Sequence, residues 1–525
     1  MDEPEPSTPY NPRPGRASDA LAGLGAAAAG LGVAELAAGA SESAPSLLIG
    51  VGDAVIDIAP GWVDRTAIDL FGHDDKTALI VGTLIIAAVI GALLGVVARR
   101  RFLPATCGYV AFAVIGTGAT LSQPGTSTIG AVVVGAIGTL VSVGVLWYLF
   151  EAPTRDRADA TARQVRPAPA ASTRRAFLIS AGGALVIGAL AGLGGWILSG
   201  RERVDDIRRA IRLPRPIRRA RAAPAGADLG IPGLTPLYVP NGDFYRIDTA
   251  LIPPAIDPDG WHLEVRGDVD RPFSLTYTEL MALPQIEADI TLACVSNEVG
   301  GDLVGNARWQ GVRLRDLLDR AGVRTRAEQV IGHSSDGFTA GFPAELARTT
   351  EHAMVAVGMN GVPLPVEHGF PARLVVPGLY GYVSATKWLT AIELTGWDTD
   401  GYWIPRGWAK RGPIKTEARI DVPRAGSTIG AGRAVIAGVA WAPTRGIERV
   451  EVRVDDGPWQ DATLADALGV DCWRQWHAVH ELAPGTHTIT ARATDGTGAT
   501  QTATPAPPPP DGASGYPERQ VTVSG

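Results

Sequence analysis

The chain has 525 residues, is 46% hydrophobic and carries a formal net charge of −7. That length accommodates about two to four domains, and the mild acidity argues against a nucleic-acid binder, which normally presents a basic face. Three scattered cysteines, Cys107, Cys294 and Cys472, cannot form a disulfide framework or a four-cysteine zinc site. The averages conceal two halves. Up to about Leu198, Ala, Gly, Val and Leu dominate and charge is scarce, whereas beyond about Pro236 the composition is that of a soluble protein with ample tryptophan.

In chain order, residues 1–16 are Pro- and charge-rich and are expected to be a disordered tail. Five apolar segments follow, at Ala20–Ala40, Ala78–Ala98, Leu103–Leu121, Ile129–Phe150 and Ala176–Leu198. A helix needs about 20 mostly apolar residues to cross a bilayer, so 17–150 is expected to hold four membrane helices and 174–198 a fifth. Loop charges orient them. Arg99–Arg101 and the 151–173 linker with its flanking Arg174 and Arg175 are basic, while Ser41–Lys76 carries seven acidic residues against Arg65 and Lys76. These assignments alternate if the N-terminus is cytoplasmic, which puts the C-terminal half on the extracytoplasmic side of a multi-pass plasma-membrane protein. Ser172-Thr173-Arg174-Arg175-Ala176-Phe177-Leu178 resembles a twin-arginine export signal; as the alternative, two arginines anchor a helix at the interface. Nine arginines between Arg201 and Arg221 pull against the external assignment. A b-type haem is not expected, because its axial ligation needs histidines within the helices and His73, in a loop, is the only one before His262.

Residues 199–235 read as a Pro/Arg/Ala linker. Over 236–412, strand-like runs alternate with short helices. Trp261–Gly267 alternates as a strand, Thr276 and Glu279 stand at capping-box positions, and Arg373–Pro377 has a buried-strand pattern, so the segment is expected to be α+β. Over 413–525 only strands are expected, ending in turn signals such as Asp455-Asp456-Gly457. This pattern points to an immunoglobulin-like sandwich, with the tract Pro505–Pro510 a loop.

Cys294, in Thr291–Gly301, has three readings: a buried small hydrophobe, half of a bridge, or a metal ligand at a strand end. Ser296, Asn297, Gly300 and Gly301 make an open turn beyond it, and a thiolate suits a soft metal centre. Further motifs flank it in order. They are Asn241-Gly242-Asp243-Phe244-Tyr245-Arg246, Cys294-Val295-Ser296-Asn297, Met359–Leu364, His368–Gly378, Tyr380-Gly381 and Lys387-Trp388-Leu389. Together these motifs resemble the sulfite oxidase family of molybdopterin enzymes, in particular its membrane-anchored actinobacterial-type members.

The resemblance covers about Asn241–Gly525. It implies an α+β sulfite-oxidase-type molybdopterin domain after a membrane α-helical part of about five helices, followed by a C-terminal all-β immunoglobulin-like, often dimerising, sandwich. It further implies that Cys294 ligates molybdenum, that Asn241, Phe244, Tyr245 and Asn297 line the pterin site, that His368, Arg373 and the amides near Ser384 meet the cofactor's anionic phosphate, and that Lys387 also binds the cofactor. The family's active-site tyrosine falls on Tyr402. The expected activity is two-electron oxygen-atom transfer on a small sulfur or nitrogen compound outside the cytoplasm, with a separate cytochrome or quinone as electron partner. The alternative is a non-catalytic envelope binding protein with a degenerate cofactor domain.

Departures argue against sulfite as the substrate. Val299 stands where the family has an arginine five residues after the cysteine, Val383 replaces a basic residue, and the tail's substrate arginine has no counterpart. Each lost charge-assisted contact is worth roughly 1.5–3 kcal/mol to a dianion. Arg406 and Lys410 are the nearest candidates to compensate. No His-Pro-Gly-Gly segment of a cytochrome b5 domain occurs.

Overall fold

The computed structural model describes residues 16–40, 46–59, 66, 70, 75–122, 126–162, 170–198 and 201–525. Nearly all of the expected N-terminal tail, much of the 41–76 loop, the middle of the 151–173 linker and the side chains of the Ser172–Arg175 motif lie outside them. The chain divides into two compact units, one of Met1–Arg203 with Ala250–Ala255, the other of Val204–Thr249 with Ile256–Gly525.

The first unit is helical. Its elements are α1 (Arg16–Gly39), α2 (Leu47–Ile58), α3 (Asp75–Ala98), α4 (Phe102–Leu121), α5 (Thr128–Ala162) and α6 (Ala170–Leu198). All but α2 contain a stretch long and apolar enough to cross a membrane, and each of the five overlaps a predicted segment. Large apolar residues such as Ile86, Leu103, Ile129 and Leu190 face outward, the arrangement a hydrocarbon surrounding requires. Inside, close approach is bought by small residues. Helix α1 packs against α3, α5 and α6, and a Cβ at Gly23 would overlap the Gly91 carbonyl oxygen and the Gly95 backbone. Tyr109 of α4 donates to the Gly23 carbonyl at 2.9 Å.

Helix α2 was expected as loop. Its start is specified by Ser46, whose Oγ accepts from Ile49 N at 3.1 Å, and by Glu35, whose Oε1 accepts from Leu48 N at 3.1 Å. The acidic residue that interrupts the first apolar segment therefore satisfies donors at a helix N-terminus.

In the second unit, α7 (Arg201–Ala210) leads into the α+β part. This comprises β1 (His262–Gly267), β2 (Phe273–Thr276), α8 (Tyr277–Ala282), β3 (Gln285–Ala293), β4 (Val304–Arg313), α9 (Leu314–Ala321), β5 (Gln329–Ser334), β6 (Thr339–Pro343), α10 (Ala344–Thr349), β7 (Met354–Met359), β8 (Val362–Pro363), β9 (Arg373–Val375), α11 (Gly381–Ser384) and β10 (Leu389–Thr395). One sheet has the order β2-β1-β10-β5-β6; the other runs β3-β4-β7-β8, with β9 also on β7. The predicted capping box is present at α8: Glu279 N donates to Thr276 Oγ1 at 3.2 Å, and Thr276 N to Glu279 Oε2 at 2.8 Å.

The remaining strands are β11 (Glu417–Val422), β12 (Thr428–Gly430), β13 (Gly432–Trp441), β14 (Ile447–Val454), β15 (Gln460–Asp461), β16 (Thr463–Leu464), β17 (Arg474–Leu482), β18 (Gly485–Asp495) and β19 (Glu518–Ser524). They form sheets β11-β13-β17-β16 and β12-β19-β18-β14-β15, whose inner faces share a core including Ile420, Ile436, Val450, Trp476 and Ile489. The expected all-β sandwich is present.

The described part of the 199–235 linker, from Arg201 on, is held against the folded unit. After α7 it runs beside β3, with Ile217 N donating to Gln285 O and Glu287 N to Arg218 O, both at 2.8 Å. Farther on, Leu229 N donates to Gln475 Oε1 at 2.8 Å and Ala227 is buried. Proline and arginine content reads as linker, yet an extended backbone finds the same partners at a sheet edge as any strand.

One of the close helix contacts offers a test. A Cβ at Gly32 would overlap the Gly188 carbonyl of α6. Gly32→Leu is expected to destabilise the helical unit by about 1–3 kcal/mol or more, read as a lower melting temperature in detergent, whereas the analogous change at Gly82, which has open space, should leave it unchanged.

Candidate active site

Strand β3 is buried along most of its length and delivers Cys294 at its end. The ladder with β4 closes at Ala293–Val304, and Cys294 N continues it by donating to Leu303 O at 2.9 Å. The loop beyond is folded on itself. Asn297 N donates to Cys294 O at 3.1 Å, and Asn297 Oδ1 accepts from Leu303 N at 2.8 Å. The far end is held from the sandwich: Arg519 Nη2 donates to Gly300 O and Arg419 Nη1 to Gly301 O, each at 3.2 Å. Gly300 sits at φ +77°, the left-handed region that favours glycine.

Cys294 is buried and free. Burial pushes its thiol up, opposed by the Ser296 amide, which lies 3.4 Å from Sγ. A thiol in this setting keeps its proton until a metal displaces it. Among the described residues no group of three or more His, Cys, Asp or Glu is placed to hold a metal ion, so Cys294 can serve a metal only if other ligands come with a cofactor.

Cys294 opens onto a cavity of about 110 Å³. Five of the sequence-predicted residues line it: Phe244, Tyr245, Cys294, Arg373 and Lys387. Arg373 begins β9 and is 4% exposed. Its Nη1 donates to His368 O at 3.1 Å and its guanidinium lies 5.1 Å from the Trp309 ring centroid. Among the described residues no carboxylate forms a salt bridge with it, and burial lowers it to about 10. Lys387 Nζ donates to Asp248 Oδ2 and to Glu367 O, both at 3.0 Å; burial pushes it down to about 8 despite Asp248.

The other five predicted residues are not among the lining. His368 and Asn241 lie behind it, bonded to each other through Nε2 and the Asn241 carbonyl at 2.8 Å. That bond makes Nε2 the donor and leaves Nδ1 as an acceptor; Nδ1 is buried without a partner. Burial pushes His368 down to about 3. Asn297 shapes the cysteine loop. The Ser384 hydroxyl is turned back onto the Leu379 and Tyr380 carbonyls at 3.3 and 3.1 Å.

Tyr402 packs against Phe338 and Trp403, under the Arg406 guanidinium, which lies 3.7 Å from its centroid. Instead of Tyr402, the cavity receives Trp403, Trp408 and Tyr382. The chain turns here, with Ile404 N donating to Gly401 O at 3.1 Å and Gly407 at φ +96°. Arg406 and Lys410 do not line the cavity either. Arg406 donates to Tyr402 O at 2.8 Å, and Lys410 to Asp400 Oδ1 at 2.6 Å and Thr399 O at 2.9 Å.

Asp248, Thr249 and Asp336 also line the cavity and were not anticipated. The first two simply continue the Asn241–Arg246 motif, a signal that was available. Asp336, after two serines and before a glycine, reads as a turn residue; burial raises its carboxyl.

A buried cation without a carboxylate and an inward-facing cysteine on one cavity suit an anionic, heteroatom-rich group. The described residues thus fit a molybdopterin. The family model of the oxidoreductase molybdopterin binding domain matches residues 250–403, so fold and cavity define a molybdopterin-binding oxidoreductase. Over 171 residues the chain is 38% identical to the uncharacterized oxidoreductase YuiH of Bacillus subtilis, covering 32% of this chain and 82% of that protein. It is 31% identical over 274 residues to the mitochondrial sulfite oxidase of Rattus norvegicus, covering 44% and 50%. The chain therefore belongs to the sulfite oxidase family, although it spans only about half the length of that enzyme. A crystal structure of the sulfane dehydrogenase SoxCD from Paracoccus pantotrophus superposes with a TM-score of 0.46 at 24% identity, covering 51% of this chain and 75% of that one.

His368 gives a pH prediction. Its folded value of about 3 lies below the ordinary 6.5, so between the two the unfolded chain holds more protons. Stability then rises with pH and is lost as pH falls from about 6.5 towards 3. The difference between wild type and His368→Gln in chemical denaturation should change across this window by up to a few kcal/mol and be flat above it.

Proposed function

We propose that this chain is a membrane-spanning molybdoenzyme that transfers an oxygen atom to or from a small, uncharged sulfur or nitrogen compound. The observation that carries the reading is Cys294 facing a cavity that also holds the carboxylate-free Arg373. Molybdopterin, when bound, supplies dithiolene sulfurs and a metal able to exchange two electrons with oxygen-atom transfer. Cys294 would give that metal its protein ligand. Arg373, with Lys387 beside it, would hold the anionic phosphate, and Phe244 and Tyr245 would flank the pterin. Tyr382, Trp403 and Trp408 form an aromatic side of the cavity that excludes water from the reacting atoms and contacts substrate. The cavity keeps its candidate cysteine and cations, which favours an enzyme over the binding-module alternative.

Charge supports the choice of substrate. Of the cations lining the cavity, Lys387 is already paired with Asp248, and Asp336 adds a second carboxylate. With Arg373 holding the cofactor's phosphate, a sulfite dianion would find no lining cation without a carboxylate partner, while an uncharged sulfoxide or N-oxide meets aromatic faces. The five apolar helices and their loop charges support a multi-pass anchor with the catalytic half outside the cytoplasm, for which the Arg174-Arg175 motif would be the export address. Electrons would pass to or from a separate cytochrome or a quinone, and the sandwich would pair two copies.

Two measurements test this. Cys294→Ser is expected to lower molybdenum per purified protein by more than roughly tenfold, beyond what loss of an outer partner of a ligand costs; wild-type loading would remove the ligand assignment. With a reduced dye as donor, dimethyl sulfoxide should turn over with a kcat/KM at least about tenfold above that for sulfite with an oxidised dye, the factor set by one lost charged contact. The reverse order would defeat the uncharged-substrate reading.

A further inference from the structure

The arginine-rich stretch after the last apolar helix is a built surface. Between Ile211 and Ala222 the backbone is fastened to the sheet at several points. Gln310 Nε2 donates to Pro214 O at 2.8 Å, Ile217 N to Gln285 O at 2.8 Å, Glu287 N to Arg218 O at 2.8 Å, and Arg308 Nη2 to Arg221 O at 3.1 Å. Leu213 packs inward against Gly358. With the backbone held, Arg212, Arg215, Arg219 and Arg221 all project outward and are exposed.

Their charge is uncompensated within the unit. Arg208 and Arg209 pair with Asp205, and Arg218 with Glu351, but among the described residues no carboxylate forms a salt bridge with any of those four. Amid them Ile217 is 69% exposed. A flexible, solvated linker would show neither a fastened backbone nor a large aliphatic residue held out between cations.

We infer that this stripe is a docking surface for anionic phospholipid headgroups, with Ile217 entering the interface. Positive charge calls for a negative partner, the exposed isoleucine calls for an apolar one, and a bilayer surface offers both. Chain continuity favours the bilayer over an acidic protein, because α7 and the stripe follow directly on α6, the last helix able to cross a membrane. The surface also accounts for four of the nine arginines on the side that loop charges assign to the exterior: bound to headgroups, they stabilise the catalytic unit's seat without dictating helix orientation. The inference rests on the membrane-spanning reading above.

The full chain, reconstituted into nanodiscs of phosphatidylcholine alone or mixed with phosphatidylglycerol, is treated with an arginine-directed dicarbonyl reagent and read by mass spectrometry. Labelling of Arg212, Arg215, Arg219 and Arg221 should fall by about fivefold in the anionic discs, as expected for a basic residue at a charged surface. Arg424 and Arg433, exposed on the sandwich, serve as references and should not change. Protection should vanish at high salt and weaken in Ile217→Asp, whose fold is checked by near-ultraviolet circular dichroism. Equal labelling in both discs overturns the proposal, as does protection that appears only on adding an acidic protein. A chain that enters neither disc removes the membrane-spanning reading itself, and the docking surface with it.

Discussion

Arg373 stands at the start of β9 among apolar residues, and taking a guanidinium out of water costs on the order of several kcal/mol. Two carbonyls, those of His368 and Leu374, and the face of Trp309 offset part of that. No carboxylate completes the compensation among the described residues. Several features follow from this one uncompensated charge. Lys387, nearby, is kept tolerable by Asp248 and the Glu367 carbonyl, and His368 is held neutral, with both cations adding to the effect of its burial. On the molybdopterin reading proposed above, the cofactor's anionic group would offset part of the cost of the cation the fold has buried.

The cysteine loop depends on the same kind of cross-bracing. Its near end is part of the β3–β4 ladder, but the Gly300 and Gly301 carbonyls are held by Arg519 and Arg419, which belong to β19 and β11 of the sandwich. The sandwich is therefore structurally part of the site rather than an appendage. Arg419 is itself fixed by Asp421 at 2.7 Å and by Thr235 Oγ1 at 2.7 Å, so the stretch once read as linker joins the same brace. Burial leaves Glu417, beside Asn297 at the start of β11, raised to about 8. A carboxyl that stays protonated near neutrality adds no negative charge behind the thiol.

Much of the architecture was legible because it is periodic or local. The five apolar segments, the Thr276–Glu279 capping box and the strand-and-turn rhythm of the tail all depend on near neighbours in the chain. Phe244, Tyr245, Cys294, Arg373 and Lys387, drawn from separate motifs, line one cavity. Tyr402 does not join them: the turn at Gly401–Gly407 directs Trp403 into the cavity, and residue spacing carries no sign of which way an irregular loop presents its side chains. Asp336 and Tyr382 escaped notice for a related reason, since each reaches the cavity through contacts far away in sequence.

By itself, the sequence determined where helices long enough for a bilayer occur, where strands begin, and that a lone cysteine sits at a strand end among the motifs of a molybdopterin domain. These are consequences of side-chain hydrophobicity and backbone preference, which act over a few residues. Tertiary structure alone decided which cations remain without a carboxylate, which aromatic rings face Cys294, and that residues 211–221 are fastened to β3 and β4 with Arg212, Arg215, Arg219 and Arg221 outward. Those outcomes depend on burial and on partners brought together from distant segments, and charge compensation is a property of the assembled fold.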